Sequence, residues 1–236
     1  LVPNPEWFSA KWRPLLPAFD RVLCKTRHAV DVFGGLGCDV RYTGFTSEDL
    51  HDPTVAKERR FFHLAGRSTA KGTHTVIAAW ERHPEWPPLT VVQHPKLVER
   101  RCMAPNVDHR VGYVDAAALR RLQNSHRFHL CPSETEGFGH YLVEAMGVGA
   151  VLLTTDGVPM NEMVDAHTGL LIQAARIERR GLADHFLVDE AGIEEAVQRA
   201  LALDEDACQR MGAAARAAFV ERDRAFRAGF VAACLG

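Results

Sequence analysis

Residues 128–147 read Phe128-His129-Leu130-Cys131-Pro132-Ser133-Glu134-Thr135-Glu136-Gly137-Phe138-Gly139-His140-Tyr141-Leu142-Val143-Glu144-Ala145-Met146-Gly147. A short apolar run is broken by Pro132, two glycines bracket Phe138, and apolar residues then return at helical spacing. The pattern predicts a strand, a tight loop and a helix in succession. In open α/β sheets ligands sit outside the carboxyl ends of the strands, which is where such a loop lies. Gly137 and Gly139 let the backbone approach a ligand with no Cβ in the way. The helix behind them turns unpaired N–H groups and a positive dipole end toward the loop, which favours a phosphate.

Outward from this stretch the chain alternates short β-rich runs with longer helical ones, the mark of parallel βαβ units. Strands are predicted at 21–25, 39–43, 60–65, 89–93, 109–114, 127–131, 150–154 and 169–172. Helices are predicted at 26–35, 71–83, 116–124, 139–147 and 190–203, with one or two more in the Ala- and Arg-rich last thirty or so residues. Turn formers and Pro53 place a boundary within residues 47–57. The expected class is therefore α/β, with a doubly wound, Rossmann-like parallel sheet over residues 53–236. Residues 1–52, with two strands, read as the remnant of another domain and its hinge. The chain starts Leu-Val-Pro-Asn-Pro, and the numbering is expected to begin inside a longer polypeptide.

A chain of 236 residues with 47% apolar content can bury a full core. Its formal charge of -2 gives no general attraction for nucleic acid, so any basic site must be local. The six cysteines are widely spaced with no C-x-x-C pair, and read as reduced thiols. No apolar run reaches the roughly 18 residues of a spanning helix, and the expected location is the cytoplasm. The stretch Trp7-Phe8-Ser9-Ala10-Lys11-Trp12-Arg13 mixes aromatic rings with cations; it suits peripheral contact with a membrane face, or burial against the rest of the first domain.

Two acids flank the glycine loop. A carboxylate only accepts hydrogen bonds and a vicinal diol offers two donors, so Glu144 suits a ribose and Glu136 the hydroxyls of a bound sugar. The plain alternative is that both decorate a helix N-terminus, where acids are stabilising. A second strand–turn–helix start is Phe61-Phe62-His63-Leu64-Ala65-Gly66-Arg67-Ser68-Thr69-Ala70-Lys71-Gly72-Thr73. Here Arg67 and Lys71 can neutralise a diphosphate, one through a planar fork and the other as a point charge.

Together these elements resemble the C-terminal, nucleotide-sugar-binding domain of retaining GT-B glycosyltransferases of family four, the glycosyl transferases of group 1. That family has a Gly-Arg loop ending in Lys-Gly, and later Glu-Gly-Phe-Gly leading to a second glutamate at this spacing. Gly157-Val158-Pro159-Met160-Asn161-Glu162 matches its downstream glycine- and proline-containing turn. The resemblance implies that Gly66, Arg67 and Lys71 hold the diphosphate and that Glu144 takes the ribose. Glu136, Gly137 and the amides of Phe138, Gly139 and His140 would meet the sugar, with Tyr113 and Val114 beside the base. Glu136, Arg67 and Lys71 become the catalytic set, with a nucleotide-sugar donor, an unknown glycan, lipid or protein acceptor, retention of configuration, and no cofactor or obligatory metal.

The sequence departs from the family in three places. The Arg67–Lys71 loop is a residue shorter, and His140 replaces a small aliphatic residue. The family's earlier glycine-rich loop and acceptor-side histidine have no counterpart, because Gly34-Gly35-Leu36-Gly37 follows a helix and reads as its stop. His126 and His129, on one predicted strand, are expected to face opposite ways and not to share a metal. A glycoside hydrolase also uses two carboxylates but has no use for Arg67 and Lys71. A dehydrogenase would need a third glycine where Leu142 stands. A nucleotide-sugar epimerase and a non-catalytic binding module, completed by a missing domain or partner subunit, remain as rivals.

Overall fold

The computed structural model describes residues 1–235. The chain opens with two 3-10 turns, Pro5–Trp7 and Ala10–Ala18, the second interrupted by Pro14 and Pro17. A small parallel pair follows: β1 (Val22–Cys24), α1 (Arg27–Gly34) and β2 (Val40–Tyr42), with Val22 opposite Val40. Thr26 starts α1 by accepting the Ala29 N–H at 3.1 Å, satisfying one of the helix's orphan donors. Phe8, Leu16, Val22 and Phe33 pack with one another into a separate small core.

The larger unit runs β3 (Glu58–Gly66), α2 (Thr73–Arg82), β4 (Leu89–Gln93), β5 (Val107–Val111), α3 (Ala116–Ser125), β6 (His126–Cys131), α4 (His140–Gly147), β7 (Val151–Thr155) and β8 (Gly169–Ile172). These six strands form one parallel sheet in the order β5-β4-β3-β6-β7-β8. Every residue of β4, β6 and β7 is buried, as expected of inner parallel strands covered on both faces. One face packs Phe61, Phe128, Leu130 and Leu153 against Trp80 of α2 and against α5 (Glu190–Ala202). On the other, Leu152 meets Leu142 and Met146 of α4, while Phe62 and Val92 meet Leu122 of α3. Each such buried side chain contributes about 1.5–3 kcal/mol of transfer free energy.

The remaining elements differ from the sequence reading at a hairpin and at the end of β5. Residues 173–189, left without structure, contain an antiparallel hairpin, β9 (Arg176–Arg180) and β10 (Ala183–Leu187), turned at Gly181 with φ +63°. The charge density of Arg-Ile-Glu-Arg-Arg hides the alternation, yet Leu182 at the turn is buried in the core of the small unit. The C-terminal run is one helix, α6 (Glu205–Leu235). It touches both units: Arg216 donates to the Gly147 carbonyl of α4 at 2.9 Å, and Phe226 meets Phe45 at 5.0 Å. The strand expected at 109–114 stops at Val111, since Gly112 at φ +144° turns the chain away. Among the described residues no helix is long and apolar enough to cross a membrane.

Candidate functional site

The strand order reverses direction between β3 and β6, the point beyond whose carboxyl ends open α/β sheets bind their ligands. The loop carrying Arg67 and Lys71 leaves β3, and the loop carrying Glu136 leaves β6. The two loops are joined directly. Glu134 N–H donates to the Ala70 carbonyl at 2.8 Å, and a Cβ on Gly72 would stand 2.8 Å from the Pro132 oxygen. Gly72 also has φ +61°, so a close approach and a left-handed backbone both require glycine there. His63, fully buried, braces the arrangement, its ring nitrogens lying 2.7 Å from the Leu130 carbonyl and 2.9 Å from Thr73 Oγ1.

Lys71 reaches across this junction. Its ammonium lies 3.6 Å from the centroid of the Tyr141 ring on α4 and donates to the Leu64 carbonyl at 3.4 Å. Burial lowers its pKa, opposed by the nearby Glu136, Cys131 and Glu144. Glu136 accepts from Ser133 Oγ at 2.6 Å, and Ser133 Oγ is bonded in turn to the Tyr141 hydroxyl. Glu144 accepts from Gln123 Nε2 at 2.9 Å. Burial raises both carboxyls, and Lys71 pulls both back. One cation thus lies near two desolvated acids, and each acid retains lone pairs beyond the single bond it accepts.

Of the residues singled out in the sequence, Lys71, Glu136, Glu144 and the glycine loop converge. Gly66 ends β3 at φ +58°, and Arg67 stands exposed beyond it at the same edge. Gly137, Phe138 and Gly139 are buried, with Gly139 at φ +87° starting α4. His140 is exposed but tied to the hinge: its Nδ1 lies 2.8 Å from Ser47 Oγ, and its ring meets the edges of Phe45 and Phe138. Tyr113 and Val114 are two strands away at the end of β5. Tyr113 is 92% exposed, and Val114 packs with the Leu122 cluster.

The expectation that His126 and His129 face opposite sides is corrected. Both rings meet Phe62 on the α3 face, and they lie 2.7 Å and 2.9 Å from the Leu122 and Gln123 carbonyls. His126 ends α3 as it begins β6, so its ring turns back to the helix's last turn instead of following the strand's alternation. Among the described residues no group of three or more metal-ligating side chains gathers.

Several contributors carried no sequence assignment. Ser133 and Tyr141 lie inside the quoted stretch but read as loop and core, while Gln123 is 21 residues from Glu144 and gave no signal. The carboxylate of Glu162, in the downstream turn, accepts the N–H groups of Arg27 at 2.7 Å and His28 at 2.6 Å. It therefore caps α1 and fastens the two units together. The opposite wall is formed by Asn4, Glu6, Lys25 and Phe45. Lys25 lies over the Phe45 ring at 5.3 Å, and Phe45 meets Phe138 at 5.2 Å.

Comparison with known proteins agrees with this fold. Sucrose-phosphate synthase from Thermosynechococcus elongatus superposes with a TM-score of 0.74 at 19% identity, covering 94% of this chain and 60% of that one. HepE from Anabaena in complex with UDP gives a TM-score of 0.74 at 16% identity, covering 98% and 69%. The pneumococcal O-GlcNAc transferase GtfA in complex with UDP and GlcNAc gives 0.68 at 16%, covering 92% and 45%. These likenesses establish a GT-B glycosyltransferase fold, and the chain spans about half to two thirds of the length of these structures. No curated protein sequence matches. The family model of glycosyl transferases group 1 matches residues 59–188, more than half of the chain and both loops of the site, so the chain belongs to that glycosyltransferase family.

Proposed function

We propose that this chain is the donor-binding half of a retaining glycosyltransferase that moves a sugar from a nucleoside-diphosphate sugar to an acceptor. The observation that carries the reading is the junction of the cationic and acidic loops at the switch point of one sheet, with Lys71 over Tyr141 and near Glu136 and Glu144. Transfer breaks the bond from C1 of the sugar to the phosphate oxygen, whose electron pair leaves on the diphosphate, and forms a bond from C1 to the acceptor nucleophile, which gives up its proton to the departing diphosphate or to solvent. Preorganised positive charge stabilises that leaving group. Arg67, Lys71 and the amides of Phe138, Gly139 and His140 supply it, so the reading requires no metal and no other cofactor. Glu144 takes the ribose diol and Glu136 the sugar hydroxyls.

Retention rests on the likeness of the paired-glutamate element. UDP in the HepE and GtfA structures puts uridine nucleotides first among donors to test. A cytoplasmic setting, with Trp7 and Trp12 on a membrane face, belongs to the same reading. The rival reading is a module that binds nucleotide sugar without turnover, because every residue assigned above meets the donor and none an acceptor.

Calorimetric titration with nucleoside diphosphates and their sugars tests the proposal. Binding of one nucleotide series with turnover on an acceptor supports it. Binding with no transfer to any acceptor favours the module, and no nucleotide binding contradicts both.

A further inference from the structure

The wall facing the glycine loop comes from the first six residues, whose sequence carries no recognisable motif. Leu1 donates from its nitrogen to the Arg21 carbonyl at 3.0 Å and accepts the Leu23 N–H at 2.7 Å, the pairing of a parallel neighbour of β1. The segment Asn4-Pro5-Glu6 that follows therefore emerges at the carboxyl edge of the small sheet, and it meets the loop at the carboxyl edge of the large one. The approach is close: a Cβ on Gly137 would lie 2.3 Å from Glu6 Oε1 and 2.4 Å from Asn4 Nδ2. A larger residue at position 137 would require the Glu6 and Asn4 side chains to move.

Two acceptor atoms at this contact, Asn4 Oδ1 and Glu6 Oε2, are buried without a hydrogen-bond partner. Buried polar atoms are nearly always satisfied, so an orphaned pair at the meeting of these two loops points to donors supplied by a ligand. Burial, together with the nearby Glu136, pushes the Glu6 carboxyl up to about 7, against the pull of Lys25. A second anion here would be repelled, whereas sugar hydroxyls offer donors without charge.

We infer that the Asn4–Glu6 segment is the second wall of the donor-sugar pocket, where Asn4 and Glu6 accept hydroxyls of a neutral hexose and disfavour a uronic acid. This rests on the donor-binding reading above and adds the class of sugar. Glu6 and Asn4 act as specificity-determining residues facing Glu136 across the sugar.

The test is titration of the parent chain, Glu6→Gln and Asn4→Ala with UDP, GDP, UDP-glucose, GDP-mannose and UDP-glucuronate. Bare-nucleotide affinity reports on folding and on the underlying reading, and the ratio of sugar-bearing to bare affinity reports on the inference. Each variant is expected to keep its bare-nucleotide Kd within about twofold and to lose about tenfold of that ratio, as for a hydrogen bond to a charged or buried group. Trp7→Ala, next in sequence and 77% exposed, is expected to change neither. UDP-glucuronate is expected to bind more weakly than UDP-glucose, with Glu6→Gln narrowing the gap. An unchanged ratio overturns the inference while leaving nucleotide binding intact. A raised ratio overturns it too, because the segment would then be a plug that the sugar displaces. Failure to bind any nucleotide removes the donor-binding reading and the inference with it.

Discussion

Replacing Gly72 and Gly66 by alanine, one at a time, isolates the contact that joins the two loops. Both glycines are left-handed, at φ +61° and +58°, so each Cβ carries a similar backbone penalty of about 1–2 kcal/mol. They differ in surroundings. A Cβ on Gly66 has nothing within 4 Å, whereas one on Gly72 would stand 2.8 Å from the Pro132 carbonyl oxygen and 3.2 Å from its ring. Backbone occupies both sides of that approach, and forcing them apart adds about 1–3 kcal/mol of overpacking. Gly66→Ala is therefore expected to cost about 1–2 kcal/mol and Gly72→Ala about 2–5 kcal/mol, read from urea unfolding with an unchanged slope. The second substitution also shifts Lys71 and the Pro132 turn relative to each other, so it should weaken nucleoside diphosphate binding. Equal costs for the two variants, with equal nucleotide affinity, would show that the loops do not meet as described.

Glu144→Ala is expected to weaken bare UDP by about 10–100-fold, the value of a hydrogen bond to a charged group, while Glu136→Ala mainly removes the preference for sugar-bearing donor. Equal effects on the bare nucleotide in titration would refute that division. Glu6, raised from an ordinary 4.5 to about 7, contributes stability that is complete below pH 4.5 and is lost as pH rises through 7. Glu6→Gln should thus match the parent at pH 4.5 and exceed it at pH 8, by about 1–2 kcal/mol after allowance for solvent; urea midpoints at the two pH values decide, and identical shifts at both would contradict it. Burial lowers His63 and His126 to about 4 and His129 to about 3. Their neutral burial stabilises the fold above the ordinary value of 6.5 and is lost as pH falls through 4, and a ring that titrates near 6.5 by NMR would show that it is not buried as described.

The six strands of the large sheet were legible because inner parallel strands are apolar throughout and are punctuated by glycine and proline. The two loops were legible for a related reason: glycines at Gly66, Gly72, Gly137 and Gly139 mark backbone that other residues cannot adopt or approach. What escaped was held by long-range partners. Gln123 reaches Glu144 only because α3 and α4 flank the same strand, and Glu162 caps α1 across 134 residues. The hairpin β9–β10 escaped because exposed Arg and Glu carry no apolar alternation, and its anchors, Leu182 and Phe186, pack into two different cores. The role of Glu6 depends on two sheets presenting their carboxyl edges to each other, which no local pattern encodes.

The most direct test of the central claim is a crystal structure of the chain with bound UDP. The account predicts the diphosphate between Arg67, Lys71 and the amides of Phe138 to His140, with the ribose diol on Glu144. A diphosphate found elsewhere, such as the cavity beside His74, Ile77 and Glu81 on α2, would contradict it.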